Sequence, residues 1–228
     1  MDLYTSSIQS IIEGSNSATQ IYPTTNDNSL LLDRARVDYP FSGRDGEISL
    51  VGSCNGLVCV SLHTHSLVLW NPTTGKWKRI PDSDTDVDTE GGYCISFAFG
   101  YDELHDDYKV VESMHVMRDG WFKTGGMVVT AYSLRTNSWK TLSNWPGGGH
   151  KFGGSGQFLN GAIHWSVREF GDDDYWAIVS HDLATDTFNV LRLPDFDDGG
   201  CFVVVDVLQG RLALNLEYKF HMDVWVMK

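Results

Sequence analysis

A pattern of eight residues that recurs three times constrains this chain of 228 residues more than any other feature. It opens with an aromatic residue or His, closes with an aromatic residue seven positions later, and has Thr three positions before the close. The copies are WNPTTGKW (70–77), YSLRTNSW (132–139) and HDLATDTF (181–188). Each copy follows an apolar run and leads into alternating apolar residues, which is typical of two β-strands joined by a short polar turn. The chain is therefore expected to be built from repeated β-hairpins.

A second recurring piece lies upstream of the first. Asn55-Gly56 and Asn160-Gly161 each separate two apolar runs, and Gln209-Gly210 is a weaker version of the same signal. Asn-Gly favours a tight hairpin turn because both central residues of that turn need positive φ. Together the two pieces predict a four-stranded antiparallel unit, with strands a, b, c and d, in which short turns join a to b and c to d.

Successive units of this size predict an all-β fold of β-propeller-type repeats. The units lie near 47–81, 94–142, 155–194 and 201–228, and the last stops during or just after strand c, so the repeat is expected to be incomplete at the C-terminus. In the second of these four-stranded repeats, near 94–142, the residues GYDELHDDY replace the Asn-Gly turn. Residues 1–46 fit no unit and are predicted to be a partly ordered lead-in to one domain at 47–228. An ordinary β-sandwich with similar hairpins is the alternative.

Composition excludes several classes of partner. The chain has 30 acidic and 17 basic residues, a formal net charge of −13, and so lacks the basic stripe that binds nucleic acid or anionic membranes. It shows no secretory signal and no apolar stretch long enough to span a bilayer. Its four cysteines complete no zinc pattern. They are expected to be buried, reduced thiols in a cytoplasmic or nuclear protein.

Motifs that carry chemistry are weak. The acidic ladder from Asp82 to Glu90 lacks the Gly and Glu that an EF-hand loop needs at its sixth and twelfth positions. His63 and His65 form an isolated H-x-H pair, and residues 153–157 (GGSGQ) fail the last position of a serine nucleophile elbow. We therefore predict no catalytic, cofactor-binding or metal-binding residue, and a protein that is not an enzyme.

The predicted units place the long, dissimilar loops at the end opposite the tight turns. These loops are the b–c connections near 63–66, 117–126, 168–175 and 217–222, and the d–a connections at 82–92, 143–154 and 195–200. Recognition usually lies on such loops, and aromatic residues are favoured anchors there. The candidate partner-binding residues are Trp121, Phe122, Trp145, Tyr175 and Phe196.

The same loops are acidic, with five acids in 82–90, four in 169–174 and three in 195–198. This surface is expected to bind a protein whose own surface is basic or mixed, through aromatic anchors and electrostatic steering. The alternative is that the acids only maintain solubility and that the aromatic side chains fold back onto the sheets.

Several segments, in order along the chain, resemble the plant F-box-associated domain. They are VGSCNGLVCV (51–60), LWNPTTGKWKRIP (69–81), FAFGYDELHDDYKVV (97–111), AYSLRTNSWKTL (131–142), FLNGAIHW (158–165), SHDLATDTFNVLRLP (180–194) and VWVMK (224–228). The resemblance implies a kelch-like, propeller-related fold. It also implies a domain that captures substrate proteins for an SCF-type ubiquitin ligase, whose F-box docks on a Skp-type adaptor.

The sequence departs from the family pattern at both ends. The helical F-box that normally precedes this domain is absent, and the strand-forming segment that normally follows VWVMK is missing. The expected partners are therefore substrate proteins, with a Skp-type adaptor and a cullin only if an F-box is supplied. Two alternatives stay open: a standalone propeller-like interaction or regulatory protein that does not engage the ligase, and a propeller enzyme or carbohydrate binder.

Overall fold

The computed structural model describes residues 48–62, 66–83, 92–118, 121–142, 145–146, 150–152, 154–169, 175–193 and 202–227. Within these ranges the chain forms sixteen β-strands. No helix there is long and apolar enough to cross a membrane. The chain divides into two compact units, Met1–Asp82 and Ser83–Lys228, which are taken separately below.

The first unit contains one antiparallel sheet in which each strand pairs with the next along the chain. The strands of this first sheet are β1 (Ile48–Cys54), β2 (Leu57–Leu62), β3 (Ser66–Trp70) and β4 (Trp77–Arg79). Asn55 and Gly56 join β1 to β2 with φ angles of 48° and 79°, as the sequence predicted for this turn. Val58, Val60 and Val68 form the buried centre of the sheet.

The second unit contains three antiparallel sheets. The second sheet comprises β5 (Tyr93–Asp102), β6 (Asp107–Arg118), β7 (Trp121–Ser133) and β8 (Ser138–Leu142). The third comprises β9 (His150–Phe152), β10 (Gln157–Leu159), β11 (Ala162–Glu169), β12 (Tyr175–Asp182) and β13 (Phe188–Arg192). The fourth comprises β14 (Phe202–Leu208), β15 (Arg211–Glu217) and β16 (Met222–Val226). The prediction of successive antiparallel, propeller-type units, with three strands in the last, is confirmed.

Tight turns in the second unit follow the sequence signals. Asn160 and Gly161 have φ angles of 50° and 77°, and Gln209 and Gly210 have φ angles of 51° and 72°, so the weaker Gln-Gly signal also forms the predicted hairpin. The replacement segment GYDELHDDY makes a turn between β5 and β6, in which Asp106 has a φ angle of 51°.

The central strands of the third sheet, β11 and β12, are buried on both faces. On β11 and β12, Trp165 and Val179 pack into a core shared with the second sheet, whereas Trp176 and Ile178 pack against the fourth sheet. Adjacent strand residues point to opposite faces, so the run of four buried residues from Trp176 in β12 serves two cores at once. The three sheets of this unit therefore pack face to face in chain order.

The first strand of the third sheet is split. Both β9 and β10 pair with β11, and a glycine-rich segment separates the two pieces. At Gly156 in this segment, a Cβ atom would lie 2.4 Å from Nε1 of Trp165 and 2.6 Å from Cγ2 of Ile163. Glycine is required here because the backbone runs directly against the packed indole ring.

The cysteines differ in exposure. Cys59 is buried, Cys54 is half-buried and Cys94 is exposed near the start of β5; none of the three forms a disulfide among the described residues. The expectation that every cysteine is buried is wrong for Cys94, which lies near the start of an edge strand. Burial raises the pKa of the Cys59 thiol well above its usual range, so that this thiol stays protonated. Cys201 lies outside the described residues.

Candidate functional site

The three copies of the eight-residue pattern fold in the same way, and a polar residue directly after the first ring explains why. In the first copy, Oδ1 of Asn71 accepts hydrogen bonds from the backbone N–H groups of Thr73 and Thr74, both at 3.0 Å. Ser133 and Asp182 take the same place in the other copies, where they accept the N–H of Thr136 and of Thr185. Such bonds stabilise a turn locally.

The Thr of the eight-residue pattern also stabilises the turn. In two copies its hydroxyl forms a hydrogen bond with the hydroxyl of the residue two positions later: Thr136 with Ser138 and Thr185 with Thr187, both at 2.8 Å. The residue between Thr and that partner has positive φ in every copy: 69° for Gly75, 53° for Asn137 and 56° for Asp186. Gly, Asn and Asp are the residues that tolerate this conformation.

The rings that open and close the pattern are cross-strand partners. Tyr132 lies opposite Trp139 with 5.4 Å between ring centroids, and His181 lies opposite Phe188 with 4.8 Å. Trp70 and Trp77 are paired in the same register. Because aromatic cross-strand pairs stabilise a hairpin, the seven-residue spacing is explained by the fold.

The turn end of the second unit comprises the turns at 103–106, 134–137, 160–161 and 183–187. A buried ion pair lies there: Nζ of Lys109 is 2.9 Å from Oδ2 of Asp102, whose side chain is wholly buried. The backbone N–H of His105 donates to Asp102 at 3.1 Å, and the His105 ring lies 2.8 Å from it. Lys109 also donates to the backbone carbonyl of Leu183, so the pair joins the second sheet to the third.

Burial would raise the pKa of the Asp102 carboxyl, but the hydrogen bonds from Lys109 and His105 outweigh it, and the pKa is lowered. His181, also at the turn end, is fully buried. Burial lowers the pKa of His181 to about 4, although Asp186 lies 3.5 Å away. The ring is therefore neutral at physiological pH, and its stacking on Phe188 makes it part of the packing.

The loop end is the opposite end of the same sheets, with the b–c connections at 119–120, 170–174 and 218–221. Trp121 and Phe122 were predicted within a long loop at 117–126, and that boundary is wrong. The backbones of Arg118 and Met117 pair with those of Trp121 and Phe122, so only two residues remain between β6 and β7. Those two residues are Asp-Gly, a hairpin signal that the sequence offered at this position.

The other predicted anchors lie in different surroundings. Trp145 is half-buried against the core of the second and third sheets, with its ring centroid 5.3 Å from that of Phe188. Tyr175, the first residue of β12, is half-buried, and the Arg192 guanidinium lies 4.5 Å from the centroid of its ring. Phe196 lies outside the described residues. All five candidates stay predictions as partner-binding residues.

An exposed aromatic residue at the loop end was missed by the sequence interpretation. Phe220 is 87% exposed at the tip of the connection between β15 and β16. The N–H of Tyr218 donates to the carbonyl of His221 at 2.9 Å, and the two rings stack with centroids 4.4 Å apart. This closed turn holds Phe220 outward. The predicted loop at 217–222 contained the residue, but its exposure could not be read from the sequence.

Two more exposed apolar residues lie at the loop end of the fourth sheet. Phe202 and Met222 pair with Glu217 from either side, so the side chains of Phe202, Glu217 and Met222 lie on one face of this sheet. Phe202 is 43% and Met222 57% exposed. We call Phe202, Phe220 and Met222 the loop-end apolar group.

A metal centre needs several His, Cys, Asp or Glu side chains at one place. No three His, Cys, Asp or Glu side chains in the described part of the chain are placed to hold a metal ion together. Asp82 is the one described residue of the predicted acidic ladder, and His63 and His65 lie outside the described ranges. Hydrogen bonds from Lys109 and His105 explain the lowered pKa of Asp102, and burial explains the lowered pKa of His181. Both causes are structural.

Repeated antiparallel sheets, with tight turns at one end and an exposed apolar group at the other, define a propeller-type domain. Comparison with known proteins gives the family. The family model described as "F-box associated beta propeller domain" matches residues 3–228, and the chain belongs to this family. The match includes residues 3–46 of the lead-in predicted at 1–46.

The curated relatives are plant proteins. The chain is similar to the F-box/kelch-repeat protein At3g23880 of Arabidopsis thaliana, at 33% identity over 92% of this chain and 54% of that protein. It is also similar to the F-box protein CPR1 of Arabidopsis thaliana, at 30% identity over 84% of this chain and 51% of that protein. The chain thus spans about half the length of the curated relatives it matches.

Proposed function

We propose that this domain binds substrate proteins for an SCF-type ubiquitin ligase, and that the loop-end apolar group is the centre of its binding surface. Membership of the F-box-associated family supports the ligase setting. The observation that carries the surface is Phe220, which is 87% exposed and held outward by a closed turn. In this proposal the domain itself recognises proteins, and an F-box with its Skp-type adaptor and cullin supplies the link to ubiquitin transfer.

Energetics favour this group over scattered exposed residues. Moving a Phe side chain from water into a partner's pocket contributes about 1.5–3 kcal/mol. Phe202 and Met222 flank the same strand, so one partner surface can cover both together with Phe220. A small number of buried anchors of this kind commonly dominates the affinity of an interface.

Charge favours a partner whose surface is basic or mixed. The chain has a net charge of −13, and twelve of its 30 acids lie in the sequence segments 82–90, 169–174 and 195–198. A strongly acidic chain speeds the approach of a basic partner and disfavours an acidic one. The proposed substrate surface therefore combines an apolar pocket with surrounding Lys or Arg residues.

The test compares two variants of the whole chain. Phe220→Ala combined with Met222→Ala removes most of the loop-end apolar group, whereas Leu104→Ala removes a side chain that is 74% exposed at the turn end. Each is used as bait in plant extract with crosslinking and quantitative mass spectrometry. We expect proteins captured by the unaltered chain to be lost by the loop-end variant and kept by Leu104→Ala. Equal capture by both variants would show that the loop end is not the binding surface.

A second assay tests the ligase setting separately. The chain is joined behind an F-box segment and reconstituted with a Skp-type adaptor, a cullin and the ubiquitin-transfer enzymes. Captured proteins are expected to be ubiquitinated by the unaltered fusion and not by the fusion carrying the Phe220 and Met222 substitutions. If capture depends on the loop end but the captured proteins are not ubiquitinated, the proposed binding surface is supported and the proposed ligase role is rejected.

A further inference from the structure

A depression of about 400 Å³ lies at the turn end of the second unit, away from the loop-end apolar group. Its charged lining comes from the second and third sheets: His105, Asp107, Lys109, Arg135, Lys140 and Asp186. Hydroxyl groups of the 133–138 turn complete the wall. The volume is within the range of natural ligand sites, about 300–1,000 Å³.

The two acids of this lining are already engaged by the protein. Asp107 is buried; it accepts the Ser133 hydroxyl at 2.5 Å and the backbone N–H of Arg135 at 2.9 Å. Asp186 pairs with Nζ of Lys140 at 2.9 Å. Neither carboxylate is therefore well placed to receive a cation from outside.

The cations are more available. Arg135 is exposed, and within the described residues its guanidinium makes no ion pair. The Lys140 side chain is 70% exposed, so its pair with Asp186 contributes little and exchanges readily for another anion. The His105 side chain is 41% exposed at the same depression. In a chain with a net charge of −13, this is a local concentration of donors that suits an anion.

We propose that the depression is a second recognition site, which binds an acidic segment of a partner polypeptide through an oxyanion. The planar Arg135 guanidinium is the main donor, Lys140 adds a second charge, and one hydroxyl of the hydrogen-bonded Thr136–Ser138 pair supplies a further hydrogen bond. Carboxylates and phosphorylated side chains share this chemistry. The proposed site does not depend on the ligase role or on the loop-end apolar group, so it can be tested separately from both.

The test is a binding titration of the whole chain with labelled short peptides, followed by fluorescence anisotropy at physiological salt. One peptide contains three Glu residues, one contains phosphoserine, and one contains Gln at the same positions. We expect an acidic peptide to bind and the Gln peptide not to bind. Tighter binding of the Glu or of the phosphoserine peptide identifies carboxylate or phosphate as the natural group.

Variants identify the site. Arg135→Gln is expected to weaken binding by at least about tenfold, whereas Arg135→Lys keeps part of it, because one charge-assisted hydrogen bond is commonly worth that factor. Arg211→Gln is the matched control: Arg211 is exposed beside the Gln209-Gly210 turn and outside the depression. Circular dichroism checks that each variant is folded. Failure of both acidic peptides to bind, equal binding of the Gln peptide, or an equal loss with Arg211→Gln would each overturn the proposal.

Discussion

The buried pair of Asp102 and Lys109 gives the sharpest prediction for stability. The Asp102 side chain is wholly buried and the Lys109 side chain is 13% exposed, with 2.9 Å between the charged atoms. Substituting Lys109→Met keeps the aliphatic volume but leaves a buried carboxylate without its cation. It also removes the hydrogen bond to the Leu183 carbonyl, which joins two sheets. Breaking a buried pair in this way costs about 3–5 kcal/mol.

One further variant separates the charge from the packing. The double substitution Asp102→Asn with Lys109→Met removes both charges, and the Asn oxygen still accepts the N–H of His105. We expect it to recover at least half of the lost free energy of unfolding. Urea denaturation at pH 7, followed by circular dichroism, measures both variants against the unaltered chain. A cost below about 1 kcal/mol for Lys109→Met, or no recovery in the double variant, would refute the reasoning.

The pH dependence has a defined sign. The pKa of Asp102 is lowered in the folded chain, so the stability from its ionised form is present above the ordinary Asp value of about 3.9. That stability is lost as pH falls through the lowered folded pKa. In Lys109→Met, uncompensated burial is expected to raise the pKa of Asp102 instead, so mild acid stabilises the variant. The difference in unfolding free energy between the two chains should therefore narrow as pH falls from 7 towards 4.

Three further predictions rest on burial. Gly156→Ala places a methyl group against the Trp165 ring and should cost about 1–3 kcal/mol by thermal unfolding; an unchanged melting temperature would contradict the close approach. His181, with a folded pKa of about 4, should make the chain less stable as pH falls from about 6.5 to 4, because the unfolded chain takes up that proton first. His181→Phe should flatten this part of the pH profile, and an identical slope would rule the residue out as its source. With a thiol reagent in native buffer, Cys94 should react readily and Cys59 only after unfolding; equal rates would contradict their different exposure.

Regular turns were predictable because their physics is local. Positive φ at Asn160 and Gly161 follows from the residue types alone, and the spacing of the ring pairs follows from strand register. The polar residue after the first ring, such as Asn71 or Asp182, was visible in the sequence but its function was not assigned. The Asp-Gly signal before Trp121 is also a local one, but the predicted loop at 117–126 did not take it into account.

Features that depend on packing between distant segments could not be predicted in the same way. Whether Trp145 points outward or into a core depends on the neighbouring Trp165 and Phe188, which lie far along the chain. Phe220 is exposed because it lies at the end of the fourth sheet, in a turn closed by the hydrogen bond from Tyr218 to His221. The depression forms where turns of the second and third sheets lie next to each other. No pattern within a single four-stranded repeat indicates that these turns are neighbours.

The simple strand order has a consequence for how the chain acquires its structure. Nearly every strand in the described residues pairs with its immediate neighbour in sequence, and the three ring-closed turns each complete their hydrogen bonds within eight residues. Such short-range contacts need little loop closure, so the hairpins can form early and independently. Each sheet can assemble once its own last strand has left the ribosome. Synthesis from the N-terminus therefore builds this protein one sheet at a time.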